Sequence, residues 1–224
     1  MRRPGLVLFD VDGTLVDSQG DIHVAMSHAF SALDLAPPSR VDVLSIVGLS
    51  LPEAVERLIP SISAEDRDRM VTVYKESYMT LRAQAPIEQT SPMFDGMRQV
   101  LDHFRTHSWL LLGVATGKSA RGLDKLTQGH GISDYFVTRQ VADHHPSKPH
   151  PSMIMTALTE TGVDPADAVI IGDTTFDMEM GRNAGIKTIG VSWGYHPVER
   201  LCADRIARAV ADIPRLVDEV LEIE

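Results

Sequence analysis

The sequence predicts an α/β fold, in which a doubly wound parallel sheet (Rossmann-like) forms the core and an all-helical cap domain is inserted into it. Short apolar runs alternate with amphipathic helical patterns from residue 95 onward, as in the βα units that build parallel sheets. Before that point, ~70 residues of helical periodicity separate the first apolar run from the second, whereas a simple crossover needs only ~30. We therefore expect residues 1–17 and 88–224 to form the core and residues 18–87 to form the cap.

The first predicted strand is the apolar run at residues 6–9, and two acids, Asp10 and Asp12, follow it directly. An unbroken apolar run of this length is typical of a strand buried on both faces. Open parallel sheets bind their ligands at the carboxyl edge of their strands. Two carboxylates that close together repel each other unless a cation or a donor offsets their charge. The alternative is an ordinary turn, because Asp and Gly are common turn residues.

The predicted cap contains two long amphipathic helices. Apolar residues recur every three or four positions in two series, Ile22, Met26, Ala29, Leu33 and Met70, Tyr74, Tyr78, Leu81. Shorter helices fit between them, near residues 43–47 and 55–59. The cap leaves the core just after the two acids and returns through prolines at 86 and 92, so we expect both stems to lie beside those acids and to act as a hinge.

The remaining core elements follow in order. They are a helix at 97–104, a strand at 110–116, a helix around 123–126, a strand near 135–137, a helix around 154–158, strands at 168–171 and 188–191, and a final helix at 213–221. Two of these strands end on polar pairs, Thr116-Gly117 and Gly172-Asp173. A lone lysine, Lys148, lies on a loop between prolines, which fix the backbone around it.

With its Asp-x-Asp strand end, Thr116 strand end, Lys148 and terminal acids Asp173 and Asp177, the sequence resembles the haloacid dehalogenase superfamily. The resemblance covers the core; in the cap only Gly48-Leu49-Ser50 is similar. It implies that Asp10 is the nucleophile and a Mg²⁺ ligand. It also implies that Asp12 is the general acid and base, binding Mg²⁺ through its backbone carbonyl, and that Asp173 is a direct Mg²⁺ ligand.

The resemblance also assigns the phosphate-binding residues. Thr116 and the backbone N–H of Gly117 would hold a phosphate oxygen, together with the N–H of Lys118. Lys148 would offset the charges of Asp10 and of the phosphoryl group, and Asp177 would act through a water or on Lys148. A nucleotide-binding P-loop is excluded, because that motif requires glycine where Leu112 stands.

Composition limits the partners. The formal net charge of −10, from 21 basic and 31 acidic residues, gives no attraction to nucleic acid or anionic membranes. A single cysteine, Cys202, excludes an internal disulfide and suits the cytoplasm. No stretch approaches the ~18 apolar residues of a spanning helix. The expected partner is a small phosphorylated metabolite, and the oligomeric state stays open.

The leading functional interpretation is a Mg²⁺-dependent phosphatase acting on a small, phosphoglycolate-like monoester through an aspartyl phosphate. A dehalogenase is disfavoured because those enzymes do not keep an acid at the position of Asp12. One alternative is a sugar-phosphate mutase of the β-phosphoglucomutase type, although such enzymes carry a basic residue where Leu51 stands here. The other is a non-catalytic binding protein, which would be expected to have lost Asp10, Asp12, Lys148 or Asp173.

Overall fold

A computed structural model describes residues 3–222, and within them the core is a six-stranded sheet whose strands are all parallel. The strands are β1 (Gly5–Phe9), β2 (Leu110–Thr116), β3 (Thr138–Val141), β4 (Ala168–Gly172), β5 (Lys187–Val191) and β6 (Arg205–Ala207). Their spatial order is β3-β2-β1-β4-β5-β6. The chain therefore winds outward from β1 in both directions, which confirms the predicted doubly wound fold.

Strand β1 is the centre of the core. Its residues are buried throughout, and successive side chains point to opposite faces of the sheet. Val7 and Phe9 join the apolar cluster on one face, while Leu6 and Leu8 join the cluster on the other. This double burial is the physical reason for the unbroken apolar run. The helices that cover the faces are α6 (Met97–Arg105), α7 (Ala120–Gly129), α8 (Ser152–Thr161), α9 (Thr175–Ala184) and α10 (Ile213–Val220).

Helices also fill the segment between β1 and β2, and most of them pack around an apolar cluster of their own. They are α1 (Gln19–Ser31), α2 (Arg40–Leu44), α3 (Leu51–Leu58), α4 (Ala64–Gln84) and the short α5 (Ile87–Thr90). The cluster is built on residues such as Ile22, Val55 and Met70, and Phe176 of the core joins it. The limits of the cap as a domain, 18–87, stay a prediction.

The two stems of this helical segment lie side by side. Val16 and Met93 form an antiparallel bridge, and the Asp17 N–H donates to the Pro92 carbonyl at 2.8 Å. The outgoing and returning chains therefore share backbone hydrogen bonds close to the end of β1.

Two strands differ from the expectations. The strand expected near residues 135–137 begins later, at Thr138, and its polar side chains are hydrogen-bonded to a helix: Thr138 and Gln140 both donate to Glu160 of α8, at 2.6 and 2.8 Å. Because these residues are polar, the strand does not appear as an apolar run in the sequence. The edge strand β6 was not predicted, since it is short and only partly buried. Among the described residues, no helix is both long and apolar enough to cross a bilayer.

Candidate active site

Asp10 stands at the carboxyl end of the central strand and is 1% exposed. Its backbone N–H donates to Ile171 of β4 at 2.9 Å, which fixes the end of the strand. Lys148 donates from Nζ to Oδ1 at 2.7 Å. The other oxygen, Oδ2, is buried and has no hydrogen-bond partner among the described residues. A buried carboxylate oxygen with no donor is costly unless a ligand contacts it.

Lys148 is fully enclosed between two carboxylates. Besides Asp10, its Nζ donates to Asp177 Oδ1 at 2.6 Å. Burial alone would lower the pKa of Lys148, but the charges of Asp10 and Asp177 raise it above its ordinary value. Asp177 is itself held by the start of α9, because its Oδ2 accepts from the N–H and the hydroxyl of Thr174. The rigid lysine predicted from the flanking prolines is thus a buried, charged group fixed against Asp10.

Asp173 follows β4, and both of its carboxylate oxygens accept hydrogen bonds. Its Oδ1 accepts from the Thr14 hydroxyl at 2.9 Å, and its Oδ2 accepts from the Tyr195 N–H at 2.8 Å. Two glycines make room for it: a Cβ on Gly13 would lie 2.3 Å from Asp173 Oδ2, and one on Gly194 would lie 2.0 Å from Asp173 Cβ. Gly13 also has φ +87, a conformation that favours glycine. These glycines are required for Asp173 to face β1.

Asp10, Asp173 and Asp177 offer carboxylate oxygens that lie within 4.8 Å of one another. Burial raises the pKa of Asp10 to about 7, since it outweighs the opposing charge of Lys148. Burial, with the charges of Asp10 and Asp177, also raises the pKa of Asp173 well above its ordinary value. A divalent cation would relieve this repulsion, and hard cations prefer oxygen ligands of this kind. With the free Oδ2 of Asp10, the donor set fits a metal such as Mg²⁺.

The Asp12 side chain points away from this acidic cluster. Both its oxygens accept from Lys118 Nζ, at 2.6 and 2.7 Å, and Oδ1 also accepts from the Ser18 hydroxyl. Burial alone would raise the pKa of Asp12, but Lys118 and Ser18 hold it below its ordinary value. Asp12 is therefore placed at the junction of the core and the first stem, with its carboxylate ionised.

Thr116 and Gly117 end β2, the strand beside β1 in the sheet. The Thr116 side chain is buried, and its oxygen accepts from the Lys118 N–H at 3.2 Å. Gly117 lies against the cap: a Cβ there would be 2.7 Å from the Gly48 carbonyl oxygen and 2.6 Å from that of Leu49. The Ser50 N–H also donates across to Ser147. The loop between α2 and α3 is thus seated on the edge of the core.

The sequence-predicted residues all lie at the carboxyl edge of adjacent strands or on loops beside it. Asp10, Lys148 and Asp177 form a hydrogen-bonded chain, and Asp173 lies next to them. The acidic cluster contains Asp177 and not the Asp12 side chain. That Asp12 binds the metal through its backbone carbonyl stays a prediction.

Sequence reasoning missed three contacts. It treated Lys118 only as a backbone donor, and it did not identify Ser18 or Tyr195. The Tyr195 hydroxyl accepts from the Ser18 N–H at 3.0 Å and donates to Asp17 at 3.3 Å, so Tyr195 joins the first stem to Asp173. The one available signal was the position of Lys118 beside the Thr116 strand end. Nothing in the sequence marks Tyr195.

Comparisons with known proteins find similar sequences and a similar fold. A family model described as haloacid dehalogenase-like hydrolase matches residues 7–191. A probable phosphatase, IndB, of Dickeya dadantii is 32% identical over 200 residues, which is 88% of this chain and 85% of the relative. A phosphoglycolate phosphatase of Vibrio vulnificus is 27% identical over 231 residues, covering 96% of both chains. A haloacid dehalogenase-like hydrolase structure from Streptococcus pneumoniae superimposes with a TM-score of 0.81 at 24% identity, covering 95% of this chain and 98% of that one.

Proposed function

Because this chain belongs to the haloacid dehalogenase-like hydrolase family, we propose that it is a Mg²⁺-dependent phosphatase that hydrolyses a small, phosphoglycolate-like monoester through an aspartyl phosphate. The phosphatase activity rests on relatives whose names state it, among them the Vibrio vulnificus phosphoglycolate phosphatase. The metal, the residue roles and the substrate class are our proposal.

Asp10 and Asp173 would hold the Mg²⁺ through side-chain oxygens, and Asp12 through its backbone carbonyl. When bound, the ion would screen the charge between the Asp10 carboxylate and the incoming phosphate. The support for this assignment is the free, buried Oδ2 of Asp10 beside Asp173. Asp177 would stay on Lys148, since both its oxygens already accept hydrogen bonds.

Asp10 would then act as the nucleophile. One carboxylate oxygen attacks phosphorus and the ester P–O bond breaks. Asp12, which is ionised in the free enzyme, would take up a proton when the anionic phosphate binds and give it to the departing oxygen. Asp12 next takes a proton from water, the resulting hydroxide attacks phosphorus, and the bond to Asp10 breaks to release phosphate. Lys148 offsets the negative charge at Asp10 in both steps, with Thr116 and Gly117 holding a phosphate oxygen. The position of Asp12 supports its role in proton transfer, because its side chain points away from the acidic cluster and contacts Lys118 instead.

Residues 18–87 would form a cap that closes over the substrate and excludes bulk water. The seating of the Gly48-Leu49 loop on Gly117 supports this, as do the paired stems at Val16 and Met93. We also propose the cytoplasm as the location, in keeping with the single cysteine, Cys202.

The observation that carries the proposal is the enclosed group of Asp10, Lys148 and Asp173, in which the Oδ2 of Asp10 has no hydrogen-bond partner among the described residues. The test is phosphate release from p-nitrophenyl phosphate, with and without Mg²⁺, followed by a screen of phosphorylated metabolites. We expect release that depends on Mg²⁺ and stops on chelation. No release from any ester in the presence of Mg²⁺ would refute the proposed activity and favour a non-catalytic binding protein.

A further inference from the structure

The cap carries an arginine, Arg82, that is partly buried and forms no ion pair among the described residues. Arg82, near the end of α4, donates from Nη2 to the neutral Ser91 hydroxyl at 2.7 Å. Its Nε and Nη1 are buried and have no hydrogen-bond partner among residues 3–222. A guanidinium stays charged at any physiological pH, so leaving two of its nitrogens buried without an acceptor is costly. An acceptor from outside the chain would relieve that cost.

Aromatic stacking fixes the orientation of this guanidinium. Its carbon lies 4.7 Å from the centroid of the Tyr78 ring, and Tyr78 is stacked on Tyr74 with ring centroids 5.8 Å apart. Such stacking restrains the side chain without neutralising its charge. Arg82 is therefore held in place while two of its nitrogens remain without acceptors.

Arg82 is connected to the reacting groups through the same tyrosine. The Tyr78 hydroxyl accepts from Lys118 Nζ at 3.3 Å, and Lys118 also holds Asp12. In the proposed reaction Asp12 protonates the departing oxygen, so the leaving group must lie against Asp12. Its far end would then extend along Lys118 and Tyr78 toward Arg82.

The carboxylates near Arg82 do not neutralise it. Asp12 is engaged by Lys118 and Ser18, and among the described residues no ion pair joins Arg82 to Asp21, the other acid in its field. Asp21 has a buried Oδ2 to which none of the described residues donates, and burial raises its pKa despite the opposing charge of Arg82. Two nitrogens of Arg82 are thus left to an acceptor that the described residues do not supply.

We infer that Arg82 is a specificity-determining residue that binds a carboxylate on the leaving group, so that the substrate is a short phosphorylated hydroxy acid. This inference rests on the proposed phosphatase function. A guanidinium and a carboxylate form strong, charge-assisted hydrogen bonds, which are strengthened by burial.

A matched pair of esters isolates the role of the carboxylate. 2-Phosphoglycolate and 2-hydroxyethyl phosphate differ only in that one ends in a carboxylate and the other in a hydroxymethyl group. The values of kcat/KM for both, and for p-nitrophenyl phosphate, are measured with the wild type, Arg82→Gln, Arg82→Lys and a control, Arg69→Gln. Arg69 lies on the same helix and is exposed, so the control removes an equal charge away from the site.

We expect the wild type and Arg69→Gln to prefer 2-phosphoglycolate. Arg82→Gln should lose about 10²-fold in kcat/KM for that ester, as for one partner of a buried charge pair, and change little with 2-hydroxyethyl phosphate. Because Arg82→Lys keeps the charge, its kcat/KM for 2-phosphoglycolate should lie between the values of the wild type and Arg82→Gln. A ratio between the two esters that is unchanged in both Arg82 variants would overturn the inference.

The remaining outcomes separate this inference from the proposed function. A wild-type preference for 2-hydroxyethyl phosphate would also overturn the inference, since it would point to hydroxyl recognition by Asp21. If the wild type releases phosphate from none of the three esters, the phosphatase itself is refuted and this inference falls with it. Turnover of p-nitrophenyl phosphate with no discrimination by Arg82 refutes only the role of Arg82.

Discussion

Lys118 Nζ lies 2.6 and 2.7 Å from the two carboxylate oxygens of Asp12, so a cation from the end of β2 fixes both oxygens of the proposed acid and base. Both groups are almost fully buried, where an ion pair is screened little by solvent or salt. Because Lys118 touches Asp12 on the side facing the cap, we assign it a positioning role for that carboxylate.

Replacing Lys118 with Met should therefore lower kcat by about 10- to 100-fold, within the range that general acid–base catalysis contributes. If Lys118 acts through Asp12, the same change in an Asp12→Ala background should have an effect of less than about threefold, because coupled residues are not additive. Lys125→Met, on the exposed side of α7, is the matched control. Equal losses in both backgrounds would contradict the positioning role.

A substitution at Gly117 tests whether activity requires the cap to pack against the core. A Cβ at this position would lie 2.6 Å from the Leu49 carbonyl oxygen, which belongs to the backbone and cannot rotate away. We expect Gly117→Ala to displace the 48–49 loop and to lower kcat/KM while the far-ultraviolet circular dichroism stays unchanged. Gly20→Ala is the control, because its added Cβ would have no described atom within 4 Å apart from its chain neighbours and its own helix backbone. Full activity in Gly117→Ala would show that this seating is not needed.

Asp10→Asn should abolish steady-state turnover and leave the fold intact. The amide has nearly the same shape and can still accept from Lys148, but it is a poor nucleophile. Phosphate release and acid-quenched labelling with a phosphodonor check the loss of turnover, and far-ultraviolet circular dichroism checks the fold. Measurable turnover in a pure preparation would refute covalent catalysis by Asp10.

Asp173→Ala should destroy activity through loss of the metal, and high concentrations of Mg²⁺ should restore part of it. The Mg²⁺ concentration for half-maximal activity is the measurement, with the exposed Asp134→Ala as control. The variant also leaves the Thr14 hydroxyl and the Tyr195 N–H without an acceptor, so some loss of thermal stability is expected. Wild-type activity that survives exhaustive chelation would rule out the metal assignment.

The sequence predicted those parts of the site that depend on where strands end. An apolar run that stops at an acid places Asp10 and Asp173 at one sheet edge, since parallel strands share that edge. The prediction failed where side chains meet over long separations: Lys118 reaches Asp12 across 106 residues, and Tyr195 reaches Asp17 across 178. No local pattern encodes such contacts. Strand β3 was misplaced because its buried positions are polar and are satisfied by Glu160 rather than by apolar packing.

The choice between phosphatase and mutase depends on which acceptor receives the phosphoryl group. Both enzymes would form an aspartyl phosphate on Asp10, so detecting that intermediate does not distinguish them. A mutase must hold a second phosphate and exclude water, and Leu51 stands where a cap cation would be expected. We therefore expect water to be the acceptor, and the acyl phosphate of the wild type to decay within seconds in buffer alone.

Asp12→Ala provides the matching variant for this experiment. Removal of the acid and base should slow both formation and hydrolysis of the acyl phosphate, each by about 10²-fold or more. The enzyme is labelled with a small phosphodonor, and the decay of the acyl phosphate is followed in buffer alone and in the presence of hexose phosphates. Since Lys118 and Ser18 hold Asp12 close to the cap, loss of its side chain should affect the attacking water as much as the leaving group. A wild-type label that is stable for many minutes, and is discharged only by a sugar phosphate into a bisphosphate, would establish the mutase instead.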